Sequence, residues 1–208
     1  MLHTETVEPR AFSVLKRLME LPALENFSLV GGTALSLLYG HRKSDDLDLF
    51  SHLPFDNNNI IPELEIAFHN QFVNKTRNAA IGIFGFIDNV KTDFIKHPHP
   101  LIRPINTIDG IRMFSTEDII AMKVQAILGR GKKKDFWDIA ALLKHFSVQD
   151  FILFHQEKYK QQQLMISVPA TMIYFADAEE DQDPVSLQDQ TWETVKAFIS
   201  EKVREYLV

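Results

Sequence analysis

The spacing of apolar and polar positions predicts short buried strands alternating with amphipathic helices in the first half of the chain. Residues 10–21 repeat apolar side chains at helical spacing before Pro22, and residues 27–30 form a short apolar run typical of a buried strand. In chain order, the pattern predicts a helix over 10–21, a strand over 27–30, a helix over 33–39, a strand over 46–50, a loop over 54–59, a helix over 62–72, and strands over 79–87 and 90–96 around an Asp88-Asn89 turn.

After Asp109-Gly110 the periodicity becomes helical. We expect helices over 115–128, 132–146, 148–161 and 187–206, with a short apolar run at 165–175 and an acidic loop before the last helix. The order of elements therefore predicts an α/β or α+β fold, with a mixed sheet carrying helices on one side and a helical C-terminal region.

Composition is ordinary for a globular protein, with 208 residues, 45% of them hydrophobic and 24% charged. The net charge of −6 argues against a generic high-affinity nucleic-acid binder, which should be basic. However, residues 177–193 contain seven acidic residues and no Lys or Arg, so the rest of the chain sums to +1. A local basic patch therefore remains compatible with the composition.

The chain has no cysteine, which fits a reducing compartment and excludes disulfides and thiol catalysis. Its N-terminus lacks the basic and apolar blocks of a signal peptide, and no run approaches the ~20 apolar residues that span a bilayer. We therefore expect a cytoplasmic protein without a membrane partner. His97-Pro98-His99 is expected to form a loop rather than a pair of metal ligands.

Two short motifs suggest phosphate chemistry. Gly31-Gly32 ends the first predicted strand, where glycines let the backbone approach a phosphate closely, and Thr33 is expected to cap the helix that follows. In the second strand, Leu47 faces the core, so Asp46 and Asp48 should project together from the opposite face. Two carboxylates beside a phosphate site are ligands that suit Mg²⁺.

These motifs resemble the nucleotidyltransferase superfamily, whose members carry Gly-Gly or Gly-Ser on a strand-helix turn and Asp-x-Asp on the next strand. More closely, Gly31-Gly32-Thr33-Ala34-Leu35 with Arg42-x-Ser44-x-Asp46-Leu47-Asp48-Leu49-Phe50 resembles the AbiEii/AbiGii family of bacterial abortive-infection and toxin-antitoxin systems. The run 123–139, with a helical Lys and Arg followed by two Asp residues, is similar to that family's later motifs. The resemblance covers residues 27–146.

With the change to helical periodicity after Asp109-Gly110, the resemblance predicts a nucleotidyltransferase core over 1–110 and a helical region over 111–208 that completes the nucleotide site, although the matching motifs end at residue 146. It also implies a third carboxylate on a strand beside Asp-x-Asp, for which Asp93 is the candidate. The implied catalytic and metal-binding residues are Asp46, Asp48 and Asp93, and the implied nucleotide-binding residues are Gly31, Gly32, Thr33, Arg42, Ser44, Lys123, Arg130, Asp135 and Asp138.

The resemblance further implies two Mg²⁺ ions and a nucleoside triphosphate substrate, with RNA, such as a tRNA 3′ end, or a protein side chain as the acceptor and a cognate antitoxin as a possible partner. The cluster Arg130, Lys132, Lys133 and Lys134 is expected to hold an RNA backbone. Two alternatives stay open: a small-molecule acceptor such as an aminoglycoside, which an acidic surface would suit, and a catalytically silent protein that binds a nucleotide or a partner. The absence of P-loop and dinucleotide fingerprints disfavours those enzyme classes.

Overall fold

A computed structural model describes all residues, 1–208. Seven strands form one mixed sheet: Ser28–Leu29 (β1), Leu47–Ser51 (β2), Phe72–Asn74 (β3), Gly82–Ile87 (β4), Val90–Lys96 (β5), Asn106–Ile108 (β6) and Ile111–Met113 (β7). The helices are Pro9–Glu20 (α1), Gly31–Tyr39 (α2), Asn57–Phe68 (α3), Thr116–Gly129 (α4), Lys133–Leu142 (α5), Val148–Lys158 (α6), Val168–Met172 (α7) and Trp192–Leu207 (α8).

The sheet order is β3-β4-β5-β2-β1-β7-β6. Strand β2 lies at its centre, antiparallel to β1 and parallel to β5, and the register pairs Asp48 directly with Asp93. Leu47 and Leu49 are fully buried on the opposite face of β2, as strict alternation along a strand requires. The predicted α/β mixed sheet is confirmed, and its register places two of the predicted carboxylates side by side.

Several element boundaries differ from the sequence-based expectations. The helix expected over 62–72 begins at Asn57, because Asp56 accepts a hydrogen bond from the Asn58 amide and Pro62 lies inside the helix rather than before it. Strands β3, β6 and β7 were not predicted, since three residues are too few to display an alternating pattern. The β6-β7 hairpin spans residue 110, so a strand from beyond that position completes the sheet beside β1.

The C-terminal helices pack around aromatic side chains. Trp192 of α8 stacks on Trp137 of α5, with ring centroids 5.8 Å apart and planes 9° apart, and Phe136 meets the same indole edge-on. The acidic segment before α8 lies against the start of α5, where the Lys133 amide donates to Asp181 and the Lys133 ammonium pairs with Asp183 at 2.9 Å. This contact anchors the segment that carries much of the negative charge.

Candidate nucleotide site

A cavity of about 650 Å³ separates the central strands from helix α4. Its floor is the face of β2 and β5 that carries Asp48 and Asp93, and its roof includes Met122 and Lys123 of α4. Eleven of the twelve residues expected at the nucleotide site line it: Gly31, Gly32, Thr33, Arg42, Ser44, Asp46, Asp48, Asp93, Lys123, Arg130 and Asp135. The twelfth, Asp138, lies behind the wall, where it contacts two of them.

The glycine turn forms the first turn of α2. The helix begins at Gly31 itself, and no side chain caps it, so its first amide groups have no side-chain acceptor. Gly31 adopts φ +72°, and a Cβ there would lie 2.9 Å from Asp48 Oδ2. The close approach of this turn to a carboxylate therefore requires glycine.

Thr33 does not cap α2, contrary to the expectation. It occupies the first turn of the helix, and its hydroxyl lies 2.9 Å from the Ser44 hydroxyl and donates to the Asp46 carbonyl oxygen. These bonds tie α2 to the segment that enters β2. Thr33 thus fixes the position of Asp46 rather than the start of the helix.

The three carboxylates are matched by two lysines. Asp93 accepts a hydrogen bond from Lys91 at 2.8 Å, and Asp46 lies 3.5 Å from the Lys134 ammonium. Asp48 has no such partner: burial raises its pKa, the proximity of Asp93 and Asp46 raises it further, and Lys91 lowers it in part. The cluster is therefore short of positive charge at its centre.

This donor set fits a divalent cation. Carboxylate oxygens on adjacent strands are the hard ligands that Mg²⁺ prefers, and the raised pKa of Asp48 indicates an anion whose charge is not fully balanced. No group of three or more acidic or imidazole side chains converges closely enough to enclose a metal ion by itself. Mg²⁺ commonly takes only one or two carboxylates and completes its shell with water and substrate phosphate, so two neighbouring aspartates suffice.

Arg42 is held by Asp138 in a bidentate ion pair, with Nε to Oδ1 at 2.7 Å and Nη2 to Oδ2 at 3.0 Å. His41 meets the same carboxylate at 2.7 Å. Although burial alone would raise the pKa of Asp138, Arg42 and Lys123 hold it well below its usual range. A Cβ at Gly32 would overlap the Arg42 guanidinium, so Gly32 leaves the space in which this pair forms.

Lys123 joins the two aspartates of α5. Its ammonium lies 2.8 Å from Asp135 Oδ1 and 2.6 Å from Asp138 Oδ2, and these carboxylates raise its pKa against the opposing effect of burial. Arg130, just past the end of α4, lies 3.7 Å from Asp135 Oδ2, a buried oxygen with no hydrogen-bond partner. The expected convergence of Lys123 and Arg130 is present, and its focus is Asp135.

Sequence reasoning missed His41, Lys91 and the rings that line the other end of the cavity. Alternation along β5 would have located Lys91 on the face of Asp93, but His41 has no recognisable pattern. His97-Pro98-His99 is a loop, as expected, and both rings line the cavity. The predicted basic cluster is divided, because Lys133 is buried against Asp183 while Lys134 turns toward Asp46.

A central mixed sheet with a glycine turn and paired carboxylates on one face of its central strands is the arrangement that defines a nucleotidyltransferase. The model of the family described as "Nucleotidyl transferase AbiEii toxin, Type IV TA system" matches residues 13–204. The chain therefore belongs to the AbiEii nucleotidyltransferase toxin family.

Three similar proteins extend this comparison. An uncharacterised protein of Aquifex aeolicus strain VF5 is 34% identical over 203 residues, covering 93% of this chain and 94% of its own length. MenT4, a nucleotidyltransferase toxin of Mycobacterium tuberculosis H37Rv, superposes with a TM-score of 0.64 at 12% identity, over 93% of this chain and 82% of its own. JHP933 of Helicobacter pylori superposes with a TM-score of 0.58 at 21% identity, over 96% of this chain and 92% of its own. The two structures share the fold.

None of the helices is both long and apolar enough to cross a membrane.

Proposed function

We propose that the chain uses Mg²⁺ to transfer a nucleotide from a nucleoside triphosphate to a hydroxyl group of RNA, such as the 3′ end of a tRNA. The observation that carries this proposal is the shared wall of the cavity, where the uncapped start of α2 lies against Asp48 and Asp48 lies beside Asp93. Helix N-termini bind phosphate, and clustered carboxylates bind the metal that accompanies it.

Transfer joins the acceptor oxygen to the α-phosphorus and breaks the bond to the departing pyrophosphate. Asp46, Asp48 and Asp93 would hold Mg²⁺, which would supply positive charge to neutralise the attacking and leaving oxygens. The first amides of α2 bind the terminal phosphates, and Asp93 accepts the proton of the attacking hydroxyl.

The ion network behind the wall positions these groups. Arg42 and Lys123 are fixed by Asp138, so their positive charges are directed at one side of the cavity without the freedom of surface side chains. Preorganised charges of this kind need no rearrangement when the triphosphate binds. We infer that Asp135 and Asp138 contribute by orienting these two cations.

The choice of RNA as acceptor rests on the mouth of the cavity. Lys91, Arg130 and Lys134 line it with half-exposed cationic side chains, 47%, 59% and 43% accessible. Exposed ammonium and guanidinium groups around an active site are suited to a phosphate backbone.

The direct test incubates the protein with total bacterial RNA, Mg²⁺ and each α-labelled nucleoside triphosphate in turn. We expect a labelled band of tRNA size, which the Asp46→Asn, Asp48→Asn double variant does not produce. Arg130→Gln should reduce labelling and weaken its dependence on salt. Labelling of a small hydroxylated or amine compound, with none in RNA, would contradict the RNA assignment and favour the small-molecule alternative.

Membership in a family of type IV toxin-antitoxin systems also supports a toxin role with a cognate antitoxin. Induced expression in a bacterial host should arrest growth, and the double variant should relieve the arrest at equal protein level. If both proteins arrest growth equally, the toxicity does not depend on nucleotidyl transfer and the proposed toxin mechanism is wrong.

A further inference from the structure

The end of the cavity farthest from the glycine turn is lined with flat rings. Phe50 follows Asp48 by two residues on the same face of β2, a step of ~6.6 Å along a strand. From there the ring centroids continue from Phe50 to His97 at 5.5 Å, from His97 to His99 at 4.9 Å and from His99 to Tyr159 at 4.7 Å. The rings form a continuous wall, which we call the ring wall.

The ring wall is uncharged at neutral pH. Burial lowers the pKa of His97 to about 3, with Lys158 and His99 adding to the effect, and burial also lowers the pKa of His99. Burial raises the pKa of Tyr159, so its phenol stays protonated. This end of the cavity is therefore unsuited to phosphate, which the opposite end attracts, and suits a neutral planar group.

Polar atoms are available beside the rings. His97 Nε2 is buried without a hydrogen-bond partner. Gln125 of α4 lines the same cavity, and its Oε1 is taken by His155 at 3.1 Å, which orients the amide nitrogen as a remaining donor. An aromatic surface flanked by an unpaired imidazole nitrogen and an amide matches a ligand with a flat face and a polar edge.

The features follow one another along β2 in a definite order. The chain leaves β1 where the Val30 amide donates to the Asp48 carbonyl, so Gly31 lies toward the start of β2, while Phe50 lies toward its end. The glycine turn, the carboxylates and the ring wall therefore lie in this order along β2. A nucleoside triphosphate has the same sequence of parts: terminal phosphates, the α-phosphate with the sugar, and the base.

We propose that the ring wall is the nucleobase subsite of the bound nucleoside triphosphate, in which the base stacks on His99, packs edge-on against Tyr159, and its polar edge meets His97 and Gln125. This inference rests on the proposed function, because it assumes that the phosphates lie at the glycine turn. A base can also come from the acceptor RNA. His99 and Tyr159 border a second recess of about 570 Å³ that reaches Lys160 at the surface, through which a strand end would enter.

The test compares nucleoside triphosphates with inorganic tripolyphosphate, which has no base, in the presence of Mg²⁺. His99→Ala should weaken nucleoside triphosphate binding at least about fivefold, the lower end of base-aromatic stacking, and leave tripolyphosphate affinity unchanged. His99→Phe keeps a ring and should retain most of the affinity. In the wild-type protein, the His99 imidazole proton resonances should shift with the nucleotide and stay in place with tripolyphosphate.

Three outcomes would overturn the assignment, and they are distinguishable. If His99→Ala loses affinity for the nucleoside triphosphate and for tripolyphosphate equally, the ring contacts the phosphates or supports folding. If His99→Ala leaves nucleotide affinity unchanged but weakens the binding of a short RNA oligonucleotide, the ring wall binds a base of the acceptor RNA instead. A wild-type protein that binds neither nucleotide nor tripolyphosphate would contradict the proposed function itself, and the subsite with it.

Discussion

Asp48 and Asp138 carry the same side chain into opposite electrostatic surroundings. Asp48 is desolvated beside two further carboxylates, which raises its pKa, whereas Asp138 receives Arg42 and Lys123 and its pKa is lowered. The surroundings of Asp48 lower the stability of the fold and favour the binding of a cation, whereas the ion pairs of Asp138 stabilise the fold. The site thus combines a destabilised acid at its centre with a satisfied acid behind its wall.

Asp48→Asn should leave the melting temperature at neutral pH unchanged or raise it by up to about 4 °C, the shift that about 1 kcal/mol produces in a chain of this length. The native pKa lies above the unfolded value, so the ionised carboxylate lowers stability as pH rises past the ordinary carboxyl range. The gain should therefore vanish in acid. Calorimetric melting of both proteins between pH 3 and pH 7 measures it, and a large destabilisation at neutral pH would argue against a strained carboxylate.

Asp138→Asn should destabilise the protein by roughly 3–5 kcal/mol, because it leaves Arg42 and Lys123 buried without their counter-charge. Since the native pKa is lowered, the contribution of Asp138 is present above the unfolded carboxyl pKa and is lost as pH falls through the native value. Urea unfolding at several pH values checks both points. Glu180→Gln, on the exposed acidic segment, is the matched control and should be near neutral.

At the scale of elements, the first turn of α2 is shaped by what lies against it. Gly31 makes room for Asp48 and Gly32 makes room for Arg42, so the turn depends on two side chains that are distant in sequence. The Gly-Gly pair therefore does more than expose the amides expected from its sequence: it also leaves space for the Asp48 and Arg42 side chains.

Gly32→Ala should displace Arg42 from its bidentate contact with Asp138 and lower both stability and nucleotide affinity. Gly129→Ala is the matched control, since a Cβ there meets nothing within 4 Å and alanine favours a helix by roughly 0.5–1 kcal/mol. Thermal melting should show a lower melting temperature for Gly32→Ala and a higher one for Gly129→Ala. Nucleotide titration should show weaker binding for Gly32→Ala. A neutral Gly32→Ala would show that the guanidinium relocates without cost.

Local pattern explains which parts of the site were predictable. Leu47 and Leu49 alternate with Asp48 within one strand, so periodicity alone gave the face of the acid, and the family's strand pattern then indicated Asp93. The partners of Arg42 and Lys133 lie 96 and 50 residues away, and no local spacing encodes such a distance. The ring wall was missed for the same reason, since β2, a loop and the end of α6 each supply one part of it.

At the scale of the whole molecule, the sheet and the C-terminal helices share their stabilising contacts. Strand β7 pairs with β1, and Asp138 of α5 binds His41 and Arg42 from the first quarter of the chain. The acidic segment neutralises Lys133, which lowers the positive charge that the sequence suggested for an RNA-binding cluster. The two regions are therefore expected to unfold together.

The two tryptophans, Trp137 and Trp192, stack on each other within the C-terminal helices, so their fluorescence reports that region alone. We expect the fluorescence and far-ultraviolet circular dichroism transitions in urea to coincide, because the buried ion network couples the helices to the sheet. An earlier fluorescence transition would mean that helices α4 to α8 unfold as a unit separate from the sheet, and Asp138→Asn should then have no effect on the sheet.

The binding of a nucleoside triphosphate with Mg²⁺, measured by isothermal titration calorimetry in the wild-type protein and in the Asp46→Asn, Asp48→Asn double variant, tests the central claim most directly. We predict that the wild-type protein binds the nucleotide in a Mg²⁺-dependent manner and that the double variant, folded and at least equally stable, loses this dependence. Equal Mg²⁺-dependent affinity in the two proteins would contradict the assignment of the carboxylate cluster as the nucleotide site.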